Sequence, residues 1–314
     1  MIKSPLRYPG GKSRAIPFLK YFIPECKELR EVFFGGGSFT FYCVQHFKEK
    51  IYSASDLNYE LYCFWSQLKN NSQKLIEEVQ QIYDTVKISQ MHGEDSYEYG
   101  KKLFEDILDR RNDDLSELQR AIDFFILNRI TFSGVVDSGG YSQGSFEGRF
   151  TQSSIQRLSE TVPVIQNIDF YCEDYSYLIE KTGQDAFLFL DPPYYSATKS
   201  KLYGKKGILH TQFDHQLMFE CLKKTNHKWL ITYDNSDYIK KLYKDFYQVK
   251  WQLQYGMTNR NNASSISGNE ILIANYNIEE IGKLNKTVKK NKKAESKNNV
   301  LSFSRMTIDS VVMY

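Results

Sequence analysis

Short apolar runs alternate with amphipathic stretches in the first and last thirds of the chain. The apolar runs predict strands at 29–34, 51–55, 169–172, 186–190, 229–233, 249–253 and 271–275. Helical spacing between them predicts helices at 39–47 and 214–224. Such alternation indicates an α/β fold with a mostly parallel sheet, and the last two strands are close enough in sequence to form a terminal hairpin.

The middle of the chain follows a different pattern. Leu61, Phe64, Trp65 and Leu68 have helical spacing, and similar spacing recurs through residues 75–82 and 118–125 without intervening strands. This predicts a helical insertion over about 60–127. The Gly/Ser-rich stretch 131–150 that closes it predicts a loop or hairpin.

Composition favours a large domain with an insertion. The chain has 314 residues, of which 41% are hydrophobic and 25% charged, so a sizeable core is available. No run of 18 apolar residues is present and the N-terminus lacks the apolar stretch of a signal peptide, so we expect no membrane association. Five scattered cysteines without a C-x-x-C pair indicate neither a disulfide framework nor zinc. We expect a reduced, cytoplasmic, metal-free protein.

Positive charge is concentrated at the C-terminus. Seven lysines and one arginine against two acids give residues 283–314 a net charge of +6, although the whole chain carries only +3. The Lys/Asn-rich residues 283–299 predict a solvated linker, with a non-specific DNA tether as the alternative. The apolar end at 300–314 could dock a partner or this chain's own core. Any nucleic-acid-binding surface would therefore have to come from local patches of the body.

The segment Asp191-Pro192-Pro193-Tyr194 ends an apolar strand. Ligands of open α/β sheets bind at the carboxyl ends of strands, and consecutive prolines remove two N–H donors while leaving carbonyl acceptors. With the Asp191 carboxylate these acceptors suit an amino group, and Tyr194 offers a flat face for a ring. The alternative is an ordinary strand-terminating Asp-Pro turn.

A second segment, Gly35-Gly36-Gly37-Ser38, follows the first predicted strand. Glycines here let a nucleotide-like ligand approach the backbone, and Asp56 follows at the interval from which an acid reaches ribose hydroxyls. The dehydrogenase pattern fails because Thr40 occupies the place of its third glycine. A flexible glycine turn without a ligand is the alternative.

A third segment, Gly11-Lys12-Ser13, is similar to a phosphate-binding loop but lacks its context. Leu6 stands where that motif needs a glycine, and no strand precedes the segment. A turn that delivers Lys12 to a carboxylate is more consistent with these residues.

The three segments, in this order, resemble the alpha-group DNA adenine-N6 methyltransferases, the Dam-like D12 class. The resemblance covers about residues 5–278. It implies a Rossmann-like S-adenosylmethionine-dependent methyltransferase sheet of seven mostly parallel strands with a helical target-recognition insertion. The implied catalytic domain comprises 1–60 and 155–282, the recognition insertion 61–154, and the linker and tail 283–314.

The resemblance also implies site residues. Cofactor-binding positions are Tyr8, Lys12, Glu31, Phe33, Gly35, Gly37, Asp56, Asp174 and Asp191. Catalytic positions that hold the target base are Asp191, Pro192, Pro193 and Tyr194. The implied methyl donor is S-adenosyl-L-methionine, with no metal. Family members often have Trp where Tyr8 stands, which is a mild departure.

The implied partner is double-stranded DNA, read by a functional monomer, with a cognate restriction endonuclease or a phage as the biological setting. Expected DNA contacts are Asn128, Arg129, Ser133, Arg149, Lys199 and Arg260. Lys199 belongs to a basic loop at 196–207 that we expect to act as a flap over the flipped base. The insertion does not match the consensus of members that read GATC. An ordinary surface loop is the alternative for the segment around Arg129.

Three other functions are compatible with some of these features. The acceptor amino group could be cytosine N4, an RNA base or a protein glutamine, although those families more often carry S-P-P-Y/W or N-P-P-Y. A catalytically silent DNA-binding subunit could retain the fold, although the intact motifs argue against it. A P-loop nucleotidase is the third possibility, which the departures around Lys12 disfavour.

Overall fold

A mixed seven-stranded sheet forms the centre of the protein in the computed structural model, which describes residues 1–92, 95–197, 213–254 and 267–287. The strands are Glu28–Glu31 (β1), Ile51–Ser55 (β2), Ile168–Tyr171 (β3), Ala186–Leu190 (β4), Lys228–Asp234 (β5), Tyr247–Gln254 (β6) and Ser267–Ala274 (β7). Their order is β3-β2-β1-β4-β5-β7-β6; the pairs from β3 to β5 are parallel, and β7 runs antiparallel to both β5 and β6. The predicted α/β fold with a terminal hairpin is confirmed.

The central strands are the most apolar. Every residue of β4 is buried, because helices cover both faces of a parallel sheet. Strand β1 is shorter than the predicted 29–34 and ends at Glu31. The antiparallel pair β6 and β7 is longer than predicted, because eight residues of each strand pair with one another.

Helices flank the sheet and build the middle of the chain. They are Ile16–Leu19 (α1), Ser38–His46 (α2), Tyr59–Asn70 (α3), Ser72–Met91 (α4), Ser96–Arg110 (α5), Glu117–Ile130 (α6), Gln143–Arg149 (α7), Gln152–Ile165 (α8), Tyr175–Glu180 (α9), His215–Lys224 (α10), Asp237–Leu242 (α11) and 278–287 (α12). Helices α3 to α6 agree with the helical pattern predicted for 60–127.

The loop or hairpin predicted for 131–150 is only partly correct. A single antiparallel bridge joins Thr131 to Tyr141, but the residues after it form helix α7. The Ser142 side chain caps this helix by accepting from the Ser145 amide, and Phe146 anchors it in the core. The capping serine and one buried aromatic outweigh the glycine-rich composition.

The first residues of the predicted linker are helical. Residues 283–287 continue helix α12, where the Asn285 side-chain amide donates to the carbonyls of Tyr21 and Ile23. The remainder of the predicted linker and the apolar end lie outside the described residues. Within those residues, none of the helices combines the length and the apolarity that a membrane crossing requires.

The topology creates a crevice at one edge of the sheet. The chain passes from β1 outward through β2 to β3, then crosses to β4 and continues through β5 in the other direction. Strand order therefore reverses between β1 and β4. The loops that follow the carboxyl ends of these two strands therefore separate. Open α/β sheets bind ligands in the crevice between such loops.

Candidate active site

A cavity of about 530 Å³ opens at the carboxyl ends of β1 and β4. All nine predicted cofactor positions and the whole Asp191–Tyr194 segment line it, although they come from segments far apart in sequence. The predicted catalytic and cofactor residues are thus brought together in one place.

The glycine turn after β1 forms one wall by close packing. Gly35 has a φ of +47°, and a Cβ there would lie 2.6 Å from the nearest ring atom of Tyr8. Gly37 has a φ of +66° and faces the ring of Phe34. Both positions therefore combine a left-handed backbone with no room for a side chain, so glycine is needed on two grounds.

Asp56 braces this turn from the end of β2. Its carboxylate accepts from the Gly35 amide at 2.9 Å and from the Asn58 amide at 3.0 Å. Burial raises the pKa of Asp56, while these two amides act in the opposite direction. The acid at the expected interval thus shapes the glycine turn while also lining the cavity.

Glu31 lies deeper, at the end of β1. One carboxylate oxygen accepts from the Thr40 amide at 3.0 Å, in the first turn of α2. Burial raises its pKa to about 8, and the nearby charges of Asp191 and Asp56 contribute in the same direction. A cationic ligand group beside Glu31 would favour its ionised form.

Three aromatic rings form the apolar end of the cavity. The ring of Phe33 lies 6.0 Å from that of Tyr175 and 5.7 Å from that of Phe213, and the last two are 5.7 Å apart. Asp174 stands beside them at the cap of α9, where it accepts from the Ser176 amide. The sequence analysis missed Tyr175 and Phe213, because nothing in the pattern around position 213 indicates a ligand.

Asp191 is held by two donors. The Lys12 ammonium lies 2.7 Å from one carboxylate oxygen and 2.8 Å from the other. The Thr232 hydroxyl donates to the first of these oxygens at 2.5 Å. Lys12 is 5% exposed, so this ion pair is shielded from water. The Gly-Gly-Lys turn thus delivers Lys12 to a carboxylate of the chain itself, that of Asp191.

Tyr194 completes this side of the cavity. Its ring lies under the Lys12 ammonium, 5.1 Å from ring centroid to nitrogen. Its hydroxyl is buried, and burial together with nearby Asp191 and Glu270 raises the pKa of the phenol well above the usual value. Tyr194 therefore remains neutral at physiological pH and presents its ring as an uncharged surface.

The residues predicted to contact DNA differ in their exposure to solvent. Asn128 is 1% exposed, and its side chain bonds to the backbone of Arg7 and to the Gly134 carbonyl. It therefore joins the N-terminal segment to the insertion and presents nothing to solvent. Ser133 is half-buried with a φ of 57°, and Arg149 is exposed on α7. Lys199 with most of the basic loop, and Arg260, lie outside the described residues.

Arg129 is buried beneath a group of arginines. It is 3% exposed, donates to the Asn128 side-chain oxygen and lies over the Phe125 ring. Its pKa is lowered to about 9, chiefly by burial and also by the neighbouring charges of Arg7, Arg157 and Arg149. No ion pair joins these arginines to an acid among the described residues. Arg129 is thus a source of positive potential below the surface rather than an exposed contact.

The fold and this cavity define the class of protein. A Rossmann-like sheet, a glycine turn braced by an acid, and an Asp-Pro-Pro-Tyr segment at the switch point are the arrangement of a methyltransferase that acts on an amino group. The profile of the D12 class N6 adenine-specific DNA methyltransferase family matches residues 8–257. The chain therefore belongs to this family, and it is an adenine-specific DNA methyltransferase.

Several named proteins are similar along most of the chain. The type II methyltransferase M.MjaIII of Methanocaldococcus jannaschii is 26% identical over 88% of this chain and 99% of its own length. The type II methyltransferase M1.LlaDCHI of Lactococcus lactis subsp. cremoris is 26% identical over 86% of this chain and 94% of its own. The DNA adenine methylase of Vibrio cholerae is 24% identical, with 70% and 76% coverage. The family resemblance seen in the sequence is confirmed.

Proposed function

We propose that the enzyme transfers a methyl group from S-adenosylmethionine to N6 of an adenine flipped out of double-stranded DNA. The observation that carries this proposal is the convergence of Asp191, Lys12 and Tyr194 with the glycine turn in one cavity at the switch point. The cavity is large enough for a nucleoside-sized ligand. Asp191 lines it next to Tyr194, where the ring of the target base would stack.

The residues present fit S-adenosylmethionine. The rings of Phe33, Tyr175 and Phe213 suit the adenine of the donor, and the Asp174 carboxylate suits its amino group. Asp56 suits the ribose hydroxyls, and Glu31 suits a cationic amino group. When bound, the donor supplies a methyl group on a sulfonium, which is already a good leaving group. Within the described residues no cluster of three metal-ligating side chains occurs.

The chain's own contribution is to prepare the acceptor nitrogen. The lone pair of adenine N6 is delocalised into the ring, so N6 is a poor nucleophile. Hydrogen bonds from N6 to the Asp191 carboxylate and the Pro192 carbonyl localise that pair toward the methyl group. The methyl group would pass to N6 while the electrons of its bond to sulfur stay on the leaving thioether, and the Asp191 carboxylate would take one N6 proton and release it to solvent. Alignment of this kind contributes about 7–11 kcal/mol.

The base must leave the helix to reach Asp191. Flipping costs a few kcal/mol, and stacking on an aromatic ring such as that of Tyr194 restores about 1–3 kcal/mol. Pro193 keeps Tyr194 in place by restricting the backbone that precedes it. The rigid segment thus aligns the base and the acceptor atoms together.

We propose that the insertion at 61–154 reads the target and that arginines within it and beside it hold the DNA backbone. Arg149 and Arg157 are exposed, Arg7 is half-buried, and Arg129 lies beneath them. An uncompensated buried guanidinium is costly, and a phosphate anion would offset that cost. A single insertion of this kind is consistent with a functional monomer. The type II names of the relatives make a cognate restriction endonuclease a reasonable partner.

Salt dependence tests this DNA-binding surface. Each phosphate contact contributes about one unit to the slope of log K against log salt concentration. We expect Arg149→Gln and Arg157→Gln each to reduce that slope by roughly 0.9, as measured by fluorescence anisotropy with duplex DNA. Lys224→Gln is the control, because Lys224 ends α10 shortly before the amino end of β5 and does not line the cavity. An unchanged slope in both arginine variants would remove these residues from the interface.

Methylation of unmethylated genomic DNA with labelled S-adenosylmethionine tests the function itself. We expect N6-methyladenine at one short sequence motif, detected by nucleoside analysis and sequencing. Methylcytosine, or label in RNA or protein, would identify a different acceptor. Binding of the donor without transfer to any DNA would identify a silent DNA-binding subunit, and ATP hydrolysis lost in Lys12→Ala would identify a nucleotidase.

A further inference from the structure

A buried carboxyl group that belongs to none of the sequence motifs lies beside the Asp191 segment. Glu270, on β7, is 1% exposed, and both of its carboxyl oxygens lack a hydrogen-bond partner among the described residues. Its register neighbours are Asp234 on β5 and Trp251 on β6. Most buried polar groups are hydrogen-bonded, and one left unsatisfied costs about 1–3 kcal/mol, more if it is charged.

The groups around Glu270 belong to the methyl-transfer site. Lys12, Asp191 and Asp234 are near enough to shift its pKa, and its carboxyl group faces the Tyr194 hydroxyl. That hydroxyl is itself buried and lacks a partner that satisfies hydrogen-bond geometry. Two unsatisfied groups therefore face each other directly behind the expected position of the target base.

We infer that Glu270 is a positioning residue for methyl transfer, acting through Tyr194 and Lys12 on the target adenine. This inference rests on the proposed function of the site. Glu270 is not itself expected to touch the adenine, because the Tyr194 ring and the Lys12 side chain belong to the cavity wall and Glu270 does not.

Two effects follow from this placement. The Lys12 ammonium is bonded to both oxygens of Asp191, which weakens Asp191 as an acceptor for the N6 protons. A second carboxylate near the Lys12 ammonium attracts part of its positive charge. Asp191 then binds the ammonium less strongly and becomes a stronger hydrogen-bond acceptor. The same carboxylate accepts from the Tyr194 hydroxyl when the base enters, which fixes the plane on which the base stacks.

The charge of Glu270 changes in the physiological range. Burial raises its pKa to about 7; Lys12 opposes this shift, while Asp191 and Asp234 reinforce it. Glu270 is therefore neutral below this pKa and ionised above it. Only the ionised form attracts the Lys12 ammonium and accepts a strong hydrogen bond from the Tyr194 hydroxyl. We therefore expect kcat to rise with pH across this pKa. The titratable groups that face Glu270 are Lys12 in the Gly-Gly-Lys turn, Asp191 and Tyr194 after β4, and Asp234 on β5.

Glu270→Gln tests the inference, because the amide preserves size but cannot ionise. We expect kcat for DNA methylation at pH 8 to fall about tenfold, the effect of losing one hydrogen bond to a charged group. The KM for S-adenosylmethionine should stay within about twofold, since Glu270 lies outside the cofactor wall. The rise of kcat around pH 7 should disappear. Glu270→Asp, which remains ionisable, should retain a pH-dependent kcat.

A measurement without turnover separates positioning from folding. The fluorescence of 2-aminopurine at the target position reports seating of the flipped base, and we expect a weaker signal in Glu270→Gln at equal occupancy of DNA. Glu280→Gln, an exposed carboxyl on α12, is the control for both assays. A Gln variant with the wild-type kcat, pH profile and fluorescence would overturn the role of Glu270 alone. A wild-type enzyme that methylates no adenine would overturn the proposed site chemistry, and this inference with it.

Discussion

Asp191→Asn is expected to lower kcat by about three orders of magnitude, in the range that loss of a positioned acid–base group produces. Asparagine preserves the size of the side chain, but it removes the negative charge and replaces one acceptor oxygen with a donor. The Lys12 ammonium, now 2.7–2.8 Å from the carboxylate oxygens, would then stand beside an uncharged group. The N6 amino group would lose its charged acceptor, and its lone pair would remain delocalised.

Single-turnover methylation of duplex DNA measures this loss, and titration calorimetry measures donor binding separately. We expect donor affinity to change less than fivefold, because the aromatic end of the cavity and Asp56 are untouched. Asp169→Asn is the matched control, since Asp169 is 62% exposed on β3. Retention of more than a tenth of the wild-type rate would show that the Pro192 carbonyl alone can orient the amino group.

Gly35→Ala is expected to weaken donor binding by at least about 30-fold and to destabilise the protein by about 1–3 kcal/mol, the cost of a non-glycine residue in a left-handed conformation. The added methyl group would meet the Tyr8 ring at 2.6 Å, and the φ of +47° disfavours any side chain. Movement of either element would also disturb the Gly35 amide that donates to Asp56. Both walls of the cavity would shift.

Thermal unfolding and calorimetry with S-adenosylmethionine measure the two effects. Gly148→Ala is the control, because a Cβ there has no atom within 4 Å and the residue lies in helix α7. The double variant Tyr8→Ala with Gly35→Ala should recover part of the stability, since it removes the clash but not the backbone strain. Wild-type donor affinity in Gly35→Ala would place the donor away from this turn.

Asp191, Asp56 and the glycine turn were predictable because each belongs to a short segment with its own chemistry. Two consecutive prolines after a buried strand, or three glycines before a helix, restrict the backbone whatever surrounds them. Their order along the chain was enough to indicate the family, which the profile match over residues 8–257 confirmed. The insertion was harder, because a glycine-rich stretch there formed helix α7 through one capping serine and one buried ring.

The placement of Arg129 and Asn128 illustrates a second limit. Both types of residue are frequent in DNA contacts, and the family resemblance implied that role, with an ordinary surface loop as the alternative. In the folded protein Asn128 bonds to the backbone of Arg7, 121 residues away, and Arg129 is buried beside it. Side-chain type predicts what a residue can bind, whereas exposure decides whether it can reach a ligand.

The sequence by itself determined the class of fold, the family, and the segments that carry the chemistry, because these depend on local backbone restrictions and on their order. Only the tertiary structure decided which distant groups meet. It brought Lys12 to Asp191 across 179 residues, gathered Tyr175 and Phe213 around Phe33, and placed Glu270 behind Tyr194. These contacts arise from strand order and register, through which a sheet joins residues whose separation along the chain carries no periodic signal.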